Sequence, residues 1–177
     1  SALPNAAKAL SYVFQNGRDT ITGKQIGPET GTLSEFVTFE DFYAAFLRQF
    51  RYILDSVIDM ARVYEPFVAE ISPSVLLSAA IGNSLKTGRD GYAFAVKYPT
   101  SALLLCSFAT TVDSILAVKE LVYDKKRTTL TELKAALDAN WEGYEDLRQA
   151  AKNAEHKYGN GDREAAGSGP RVRRGHR

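Results

Sequence analysis

The sequence predicts a mostly α-helical chain that contains at least one buried strand. Three observations carry that expectation. Apolar residues recur every three to four positions through most of the 177 residues. Thr38 and Thr129 each stand three residues before an acidic side chain, Asp41 and Glu132, the spacing of a capping box at a helix start. Finally, Tyr98 to Phe108, YPTSALLLCSF, is a short apolar run bounded by polar residues, as suits a strand covered on both faces.

Asn5 to Phe14 carries Ala6, Ala9, Leu10, Val13 and Phe14 at helical spacing behind Pro4, and Asn16-Gly17 ends that helix. The strongest element starts at Thr38. Phe39, Phe42, Tyr43, Phe46, Phe50, Ile53, Leu54, Val57, Met60, Ala61 and Tyr64 share one face over about seven turns. Glu40 and Asp41 complement the positive end of its dipole, and Pro66 marks a stop or a kink.

A shorter helix begun by Pro73 is expected within Ile71 to Leu85. Gly88 and Gly91 then break the chain before the apolar run. After it, Thr110 or Thr111 is expected to cap a helix that turns Val112, Ile115, Leu116, Val118 and Val122 inward. Thr129 opens the last helical region, with Leu130, Leu133, Leu137, Trp141, Tyr144 and Leu147 on its apolar side and Gly143 as a break. Residues 1–162 read as one domain. From 163 to 177 the composition turns to Gly, Arg and small residues, and that tail is expected to be disordered. A single buried strand must pair with something, so its partners are either further strands or lie outside this chain.

The bulk numbers exclude more than they identify. The formal net charge is +1, which gives no reason to expect nucleic acid or a membrane surface as a partner. The longest apolar run, Ala102 to Cys106, is far too short to span a bilayer, and no charged-then-apolar leader is present. The chain opens on Ser1 rather than Met, as a processed product or a piece of a longer polypeptide would. One cysteine, Cys106, rules out an internal disulfide and fits a reducing, cytoplasmic compartment. With only His156 and His176 beside it, a zinc site of the usual kind is not expected.

Residues 16 to 31, NGRDTITGKQIGPETG, look at first like a phosphate-cradling loop. Such a loop needs G-x-x-x-x-G-K and then a hydroxyl residue for Mg²⁺. Here five residues separate Gly17 from Gly23, and Gln25 follows Lys24, so both spacing and hydroxyl fail. Other chemistry is equally sparse. Cys106 has apolar neighbours rather than the cationic setting of a reactive thiolate. Glu142, Glu145 and Asp146 read as a solvated flank rather than an acid–base pair or metal site. Arg171, Arg173, Arg174 and Arg177 lack the interleaved aromatics of a nucleic-acid platform. No catalytic, cofactor-binding or metal-ligating residue is assigned.

The order of segments says more. Lys8 to Gly31 carries a helix and then N-G-x-D-x-x-T-G; Thr38 to Leu54 is TFEDFYAAFLRQFRYIL. Thr110 to Leu133 is TTVDSILAVKELVYDKKRTTLTEL, and Leu133 to Asp162 holds WEGYEDLR followed by KYGNGD. Together, over about residues 5 to 162, these resemble the pyruvate formate-lyase domain of the glycyl radical enzymes, especially its decarboxylase, dehydratase and lyase branches. The resemblance implies an α/β fold, a piece of a ten-stranded barrel wrapped by helices. It also implies a cytoplasmic, anaerobic enzyme. In this family a separate S-adenosylmethionine-dependent activating enzyme makes a glycyl radical, a cysteine on a central loop relays it to substrate, and the full-length protein is commonly a homodimer.

The chain departs from that pattern at the decisive places. The family's cysteine sits in a G-C-V-E turn that would precede Ser1, and Cys106 falls in the strand-like segment instead. The radical glycine belongs to R-V-x-G-[YF]. Arg171 to His176 has one extra residue before Gly175, a histidine for the aromatic, and too early a position. The expectation is therefore a fragment of a glycyl radical lyase, decarboxylase or dehydratase, inert alone, whose partner is the rest of the parent enzyme. The alternatives are a non-catalytic helical interaction module and, more remotely, a nucleic-acid adaptor acting through the arginine tail. By alternation the strand-like run would turn Thr100 or Ser101 toward a substrate, with outward-facing packing of the same residues the equal alternative.

Overall fold

Asn5 closes an extended segment and caps the first helix, α1 (Ala6–Phe14), its side chain accepting from the Ala7 N–H at 3.0 Å. The computed structural model describes residues 2–96 and 102–161. After the glycine-rich loop comes α2 (Phe39–Ile71). Its start is the reciprocal cap expected from sequence. Thr38 donates from N and Oγ1 to Asp41 Oδ2 at 2.9 and 2.7 Å, and the Asp41 N–H donates to Thr38 Oγ1 at 3.2 Å.

Two short helices, α3 (Val75–Ala80) and α4 (Gly82–Thr87), are separated by an extended Ile81. A π-helical turn, Gly91–Ala95, follows. Then α5 (Phe108–Val118) runs into a second π-helical turn, Lys119–Asp124. The last pair is α6 (Leu130–Asp138) and α7 (Glu145–Lys152). Thr129 caps α6 through the Glu132 N–H at 3.1 Å. Positive φ at Asn140, Trp141 and Gly143 turns the chain between the two helices.

The chain divides into two compact units. One is Asn5–Ile53 with Leu105–Arg177; the other is Ser1–Pro4 with Leu54–Leu104. In the first, α1, the leading half of α2, and α5 to α7 share an apolar core. Ala9, Phe42, Phe46, Ile115 and Ala136 are fully buried there. Rings pack edge-on and stacked along α2. Phe14 meets Phe42 at 5.8 Å between centroids, and Phe46 stacks on Phe50 at 5.8 Å. Burying a side chain of this size stabilises by about 1.5–3 kcal/mol, so the phase of α2 is set by its rings. Asn5 and Cys106 form a parallel bridge, with the Ala6 N–H donating to the Cys106 carbonyl at 3.1 Å.

The second unit is held by polar turns more than by a core. Asp90 Oδ2 accepts from the Ser74 N–H at 2.8 Å and from Ser78 Oγ at 3.0 Å, while its Oδ1 takes the Tyr92 N–H at 2.9 Å. Its carboxyl lies below the ordinary range because of the Tyr92 N–H, offset by burial and aided by Ser78 and Ser74. Here the trailing half of α2 exposes Met60, Val63, Tyr64, Phe67 and Ile71. Ala2 and Leu103 form another parallel bridge.

Several sequence expectations change. Among the described residues no extended strand forms. The segment around 102–106 makes isolated bridges only, and Phe108 already belongs to α5. The partner of each bridge is the N-terminal extended segment, whose four or so residues are too few to read as a strand by alternation. Pro66 does not stop α2, which continues to Ile71. Pro73 does not begin a helix; α3 starts at Val75, where Asp90 takes up the Ser74 N–H. α5 starts before Thr110 and Thr111; the Thr111 hydroxyl instead donates back to the Ser107 carbonyl at 2.7 Å. Thr100, Ser101, His176, Gly175 and Arg171, Arg173, Arg174 and Arg177 lie outside the described residues. No described helix is long and apolar enough to cross a membrane.

Candidate functional site

The glycine-rich loop spends its polar groups on itself. Asn16 Oδ1 accepts from the Thr30 and Gly31 N–H groups at 2.8 and 3.1 Å, clasping the two ends. Asp19 Oδ2 accepts from Thr22 N and Oγ1 at 2.9 and 3.0 Å, and its Oδ1 takes Lys8 Nζ at 2.6 Å. The Lys8 hydrogen bond, with those from Thr22, holds the Asp19 carboxyl well below the usual carboxylate range. Gln25 Nε2 donates to the Asn16 and Gly27 carbonyls at 2.9 and 2.8 Å. An anion cradle needs backbone N–H groups turned outward. Here the Gly27, Ile26, Asp19 and Gly23 N–H groups are all bonded within the loop. These bonds hold the loop in shape.

Cys106 is half-buried, in the segment bridged to Asn5. Glu142, Glu145 and Asp146 are exposed at the start of α7, where Glu145 accepts from the Gly143 N–H at 3.2 Å. They serve the helix dipole and loop. No group of three or more His, Cys, Asp or Glu among the described residues is placed to hold a metal ion.

The feature that sequence reasoning missed is a cleft of about 730 Å³ within the larger unit. α1 contributes Leu10 and Phe14 and its C-cap Gln15, α5 contributes Asp113 and Val118, and α6 contributes Leu133, Lys134 and Asp138. Trp141 stands between α6 and α7, and Arg148, Lys152 and Lys157 line the remaining side. Its lining joins buried apolar side chains with charged ones that are exposed or half-buried. Nearby, Glu120 is a buried carboxylate that accepts from Lys125 Nζ and the Glu155 N–H, each at 2.7 Å. Burial pushes the Glu120 carboxyl up, but Lys125 and the Glu155 N–H outweigh it and hold it below its ordinary value. These groups build a wall; none is arranged as a nucleophile with a base.

Comparison with known proteins decides the family. The pyruvate formate lyase-like family model matches residues 1–169. The chain belongs to that family. A trans-4-hydroxy-L-proline dehydratase of Clostridioides difficile is 36% identical over 158 residues, which are 89% of this chain and 20% of the relative. A crystal structure of a hydroxyproline dehydratase from Clostridioides difficile, with trans-4-hydroxy-L-proline bound, superposes with a TM-score of 0.83 at 35% identity. It covers 92% of this chain and 21% of that one. A glycyl radical enzyme from Archaeoglobus fulgidus superposes with a TM-score of 0.79 at 26% identity, over 94% of this chain and 21% of that one. The homologues are glycyl radical dehydratases and lyases. This chain spans about one fifth of their length.

The mostly helical build and the barrel expectation are reconciled by that share. The structural neighbours are glycyl radical enzyme barrels. The described residues of this chain, about one fifth of that length, hold helices and isolated bridges. The four stretches that carried the resemblance, from the spaced glycines of 16 to 31 to the KYGNGD ending, all fall within the matched residues 1–169. Neither those glycines nor that ending marks a reactive group.

Proposed function

We propose that this chain is the stretch of a glycyl radical dehydratase or lyase lying between the cysteine turn and the radical glycine. One observation carries the reading: similarity runs over nine tenths of this chain while covering a fifth of the relative. In that role the chain contributes packed helices and bridge-forming backbone, and the reacting groups belong to the remainder of the parent enzyme. The parent would cleave a C–O, C–N or C–C bond of a small organic substrate by radical chemistry; similarity to a dehydratase favours C–O. The family's glycyl radical, installed by an S-adenosylmethionine-dependent activating enzyme, would supply the hydrogen abstraction. What this chain's residues do is structural: Gln49, Asn16 and Asp19 fix the loop, and Glu120 holds the segment after α7 through the Glu155 N–H. A soluble parent homodimer in the cytoplasm belongs to the same proposal.

Alone, the chain is expected to be catalytically inert. The test is anaerobic incubation of the purified chain with an activating enzyme and S-adenosylmethionine, followed by electron paramagnetic resonance. No glycyl signal is expected. A glycyl doublet arising from this chain would overturn the proposal, and so would a parent sequence lacking the cysteine turn upstream.

A further inference from the structure

The cleft of the larger unit carries charge that the fold does not use. Lys134 pairs with Asp138, which also accepts from Gln15 Nε2 at 3.3 Å, and Asp113 accepts from the Tyr158 N–H at 2.7 Å. Lys157 Nζ reaches the Ala151 carbonyl at 3.4 Å. Arg148 and Lys152 stand one helical turn apart on α7, both exposed, with no side-chain partner among the described residues. The same cleft is lined by Leu10, Phe14, Val118 and Leu133, all buried, and by Trp141. A cleft lined by apolar side chains and by exposed cations without a side-chain partner among the described residues complements a helix with an apolar face and an acidic flank.

We infer that this cleft is a docking groove for an acidic amphipathic helix supplied by the part of the parent polypeptide outside this chain. The inference rests on the proposed-function reading for the source of the helix. It rests on the chain's own residues for its chemistry. The relatives carry about four fifths of their length outside the matched region, so such a segment has somewhere to come from. A basic helix would meet Arg148, Lys152 and Lys157 as like charges. A neutral one would leave them without partners.

Trp141 lines the cleft and is the only tryptophan of the chain, so its emission reports occupancy. The experiment titrates the chain with two synthetic helical peptides of identical leucine spacing, one flanked by glutamates and one by lysines. The glutamate peptide is expected to shift Trp141 emission saturably and to bind at least roughly tenfold more tightly than the lysine peptide. The double variant Arg148→Glu, Lys152→Glu is expected to invert that preference. It replaces one like-charged pair at helical spacing by another, so repulsion within α7 is matched, and far-UV circular dichroism reports its fold. If that variant fails to fold, Arg148→Gln and a salt series on the unaltered chain replace it, with glutamate-peptide binding expected to weaken in both. Equal binding of the two peptides, no change in emission with either, or a preference indifferent to charge reversal overturns the groove. So does an emission change with protein concentration alone, which assigns the cleft to a second copy. All readouts use this chain by itself, so their failure leaves the family reading standing, whereas a parent without the cysteine turn removes that reading and not the groove.

Discussion

Gln49 donates from Nε2 to the Pro28 carbonyl at 2.7 Å, tying the glycine-rich loop to the buried face of α2. The same nitrogen reaches Thr30 Oγ1 at 3.1 Å, and the side chain is fully buried. Replacing Gln49 by Leu leaves the Thr30 hydroxyl and the Pro28 carbonyl without that donor. A buried group stripped of its partner costs about 1–3 kcal/mol. The unfolding free energy of Gln49→Leu, read from its urea transition, is therefore expected to fall by that amount. Gln49→Glu is expected to be worse at neutral pH, because a buried carboxylate would face the Pro28 carbonyl oxygen, and to recover partly in acid. An unchanged midpoint for both variants would show that the loop is held by other contacts.

Gly17 and Gly23 both adopt positive φ, at 82° and 67°, yet their surroundings differ. A Cβ on Gly17 would lie 2.5 Å from Gln25 Nε2 and from the Gly27 and Pro28 carbonyl oxygens, whereas one on Gly23 meets nothing within 4 Å. Gly23→Ala should lose only the left-handed strain, about 1–2 kcal/mol. Gly17→Ala should lose about 1–3 kcal/mol more from overlap with fixed backbone. Equal midpoints for the two variants in chemical denaturation would contradict the close packing.

These two glycines show what the sequence could and could not disclose. Turn chemistry is local, so Asn16-Gly17, the Thr38–Asp41 cap and the Thr129–Glu132 cap were legible from spacing alone. Gln49 could have been found too. It sits three residues after Phe46 on the apolar face of α2, where a polar side chain must have a partner. Glu120 likewise follows Leu116 by four. The cleft was not legible, because it is assembled from α1, α5, α6 and α7, and no periodicity relates residues so far apart in sequence. The strand expected over Tyr98 to Phe108 falls partly outside the described residues, and its described part, around 102–106, makes isolated bridges. Its bridging partner is a short extended stretch at the other end of the chain.

Asp19 should govern part of the acid limb of stability. Lys8, then Thr22, lowers its carboxyl from the ordinary 3.8. A group depressed in the folded state contributes fully above its unfolded value, and the contribution fades as pH falls toward the folded one. Stability is thus expected to decline as pH drops below about 4, and less steeply in Asp19→Asn. Denaturation midpoints at pH 5, 4 and 3 provide the measurement. Parallel declines in the two proteins would remove Asp19 from the account.

Glu120 links the π-helical turn to the segment that follows α7, through the Glu155 N–H. Glu120→Gln keeps an acceptor for that N–H and loses only the charge on Lys125. Glu120→Ala leaves the N–H without its acceptor, at a cost of about 1–3 kcal/mol. Amide exchange at residues 154 to 158 is expected to accelerate in the Ala variant and to stay slower in the Gln variant. Identical exchange in both would mean that the carboxylate acts through Lys125 instead.

Tyr123 predicts behaviour at the alkaline end. Its hydroxyl donates to the Phe36 carbonyl at 3.1 Å, and its ring meets Phe39 edge-on at 5.9 Å. Burial, with Asp41 and then Glu40 adding repulsion, pushes the phenol up from 10.0 to about 12. Because the folded state resists deprotonation, the unfolded chain loses this proton first. Stability is therefore expected to be intact below pH 10, to fall between 10 and about 12, and to level once the folded phenol also ionises. Tyr123→Phe removes the hydrogen bond, a loss of about 0.5–1.5 kcal/mol at neutral pH. The same change should flatten the alkaline decline and delete a late step near pH 12 from the tyrosinate absorbance titration. A variant that keeps both the decline and the late step would place the perturbed phenol elsewhere.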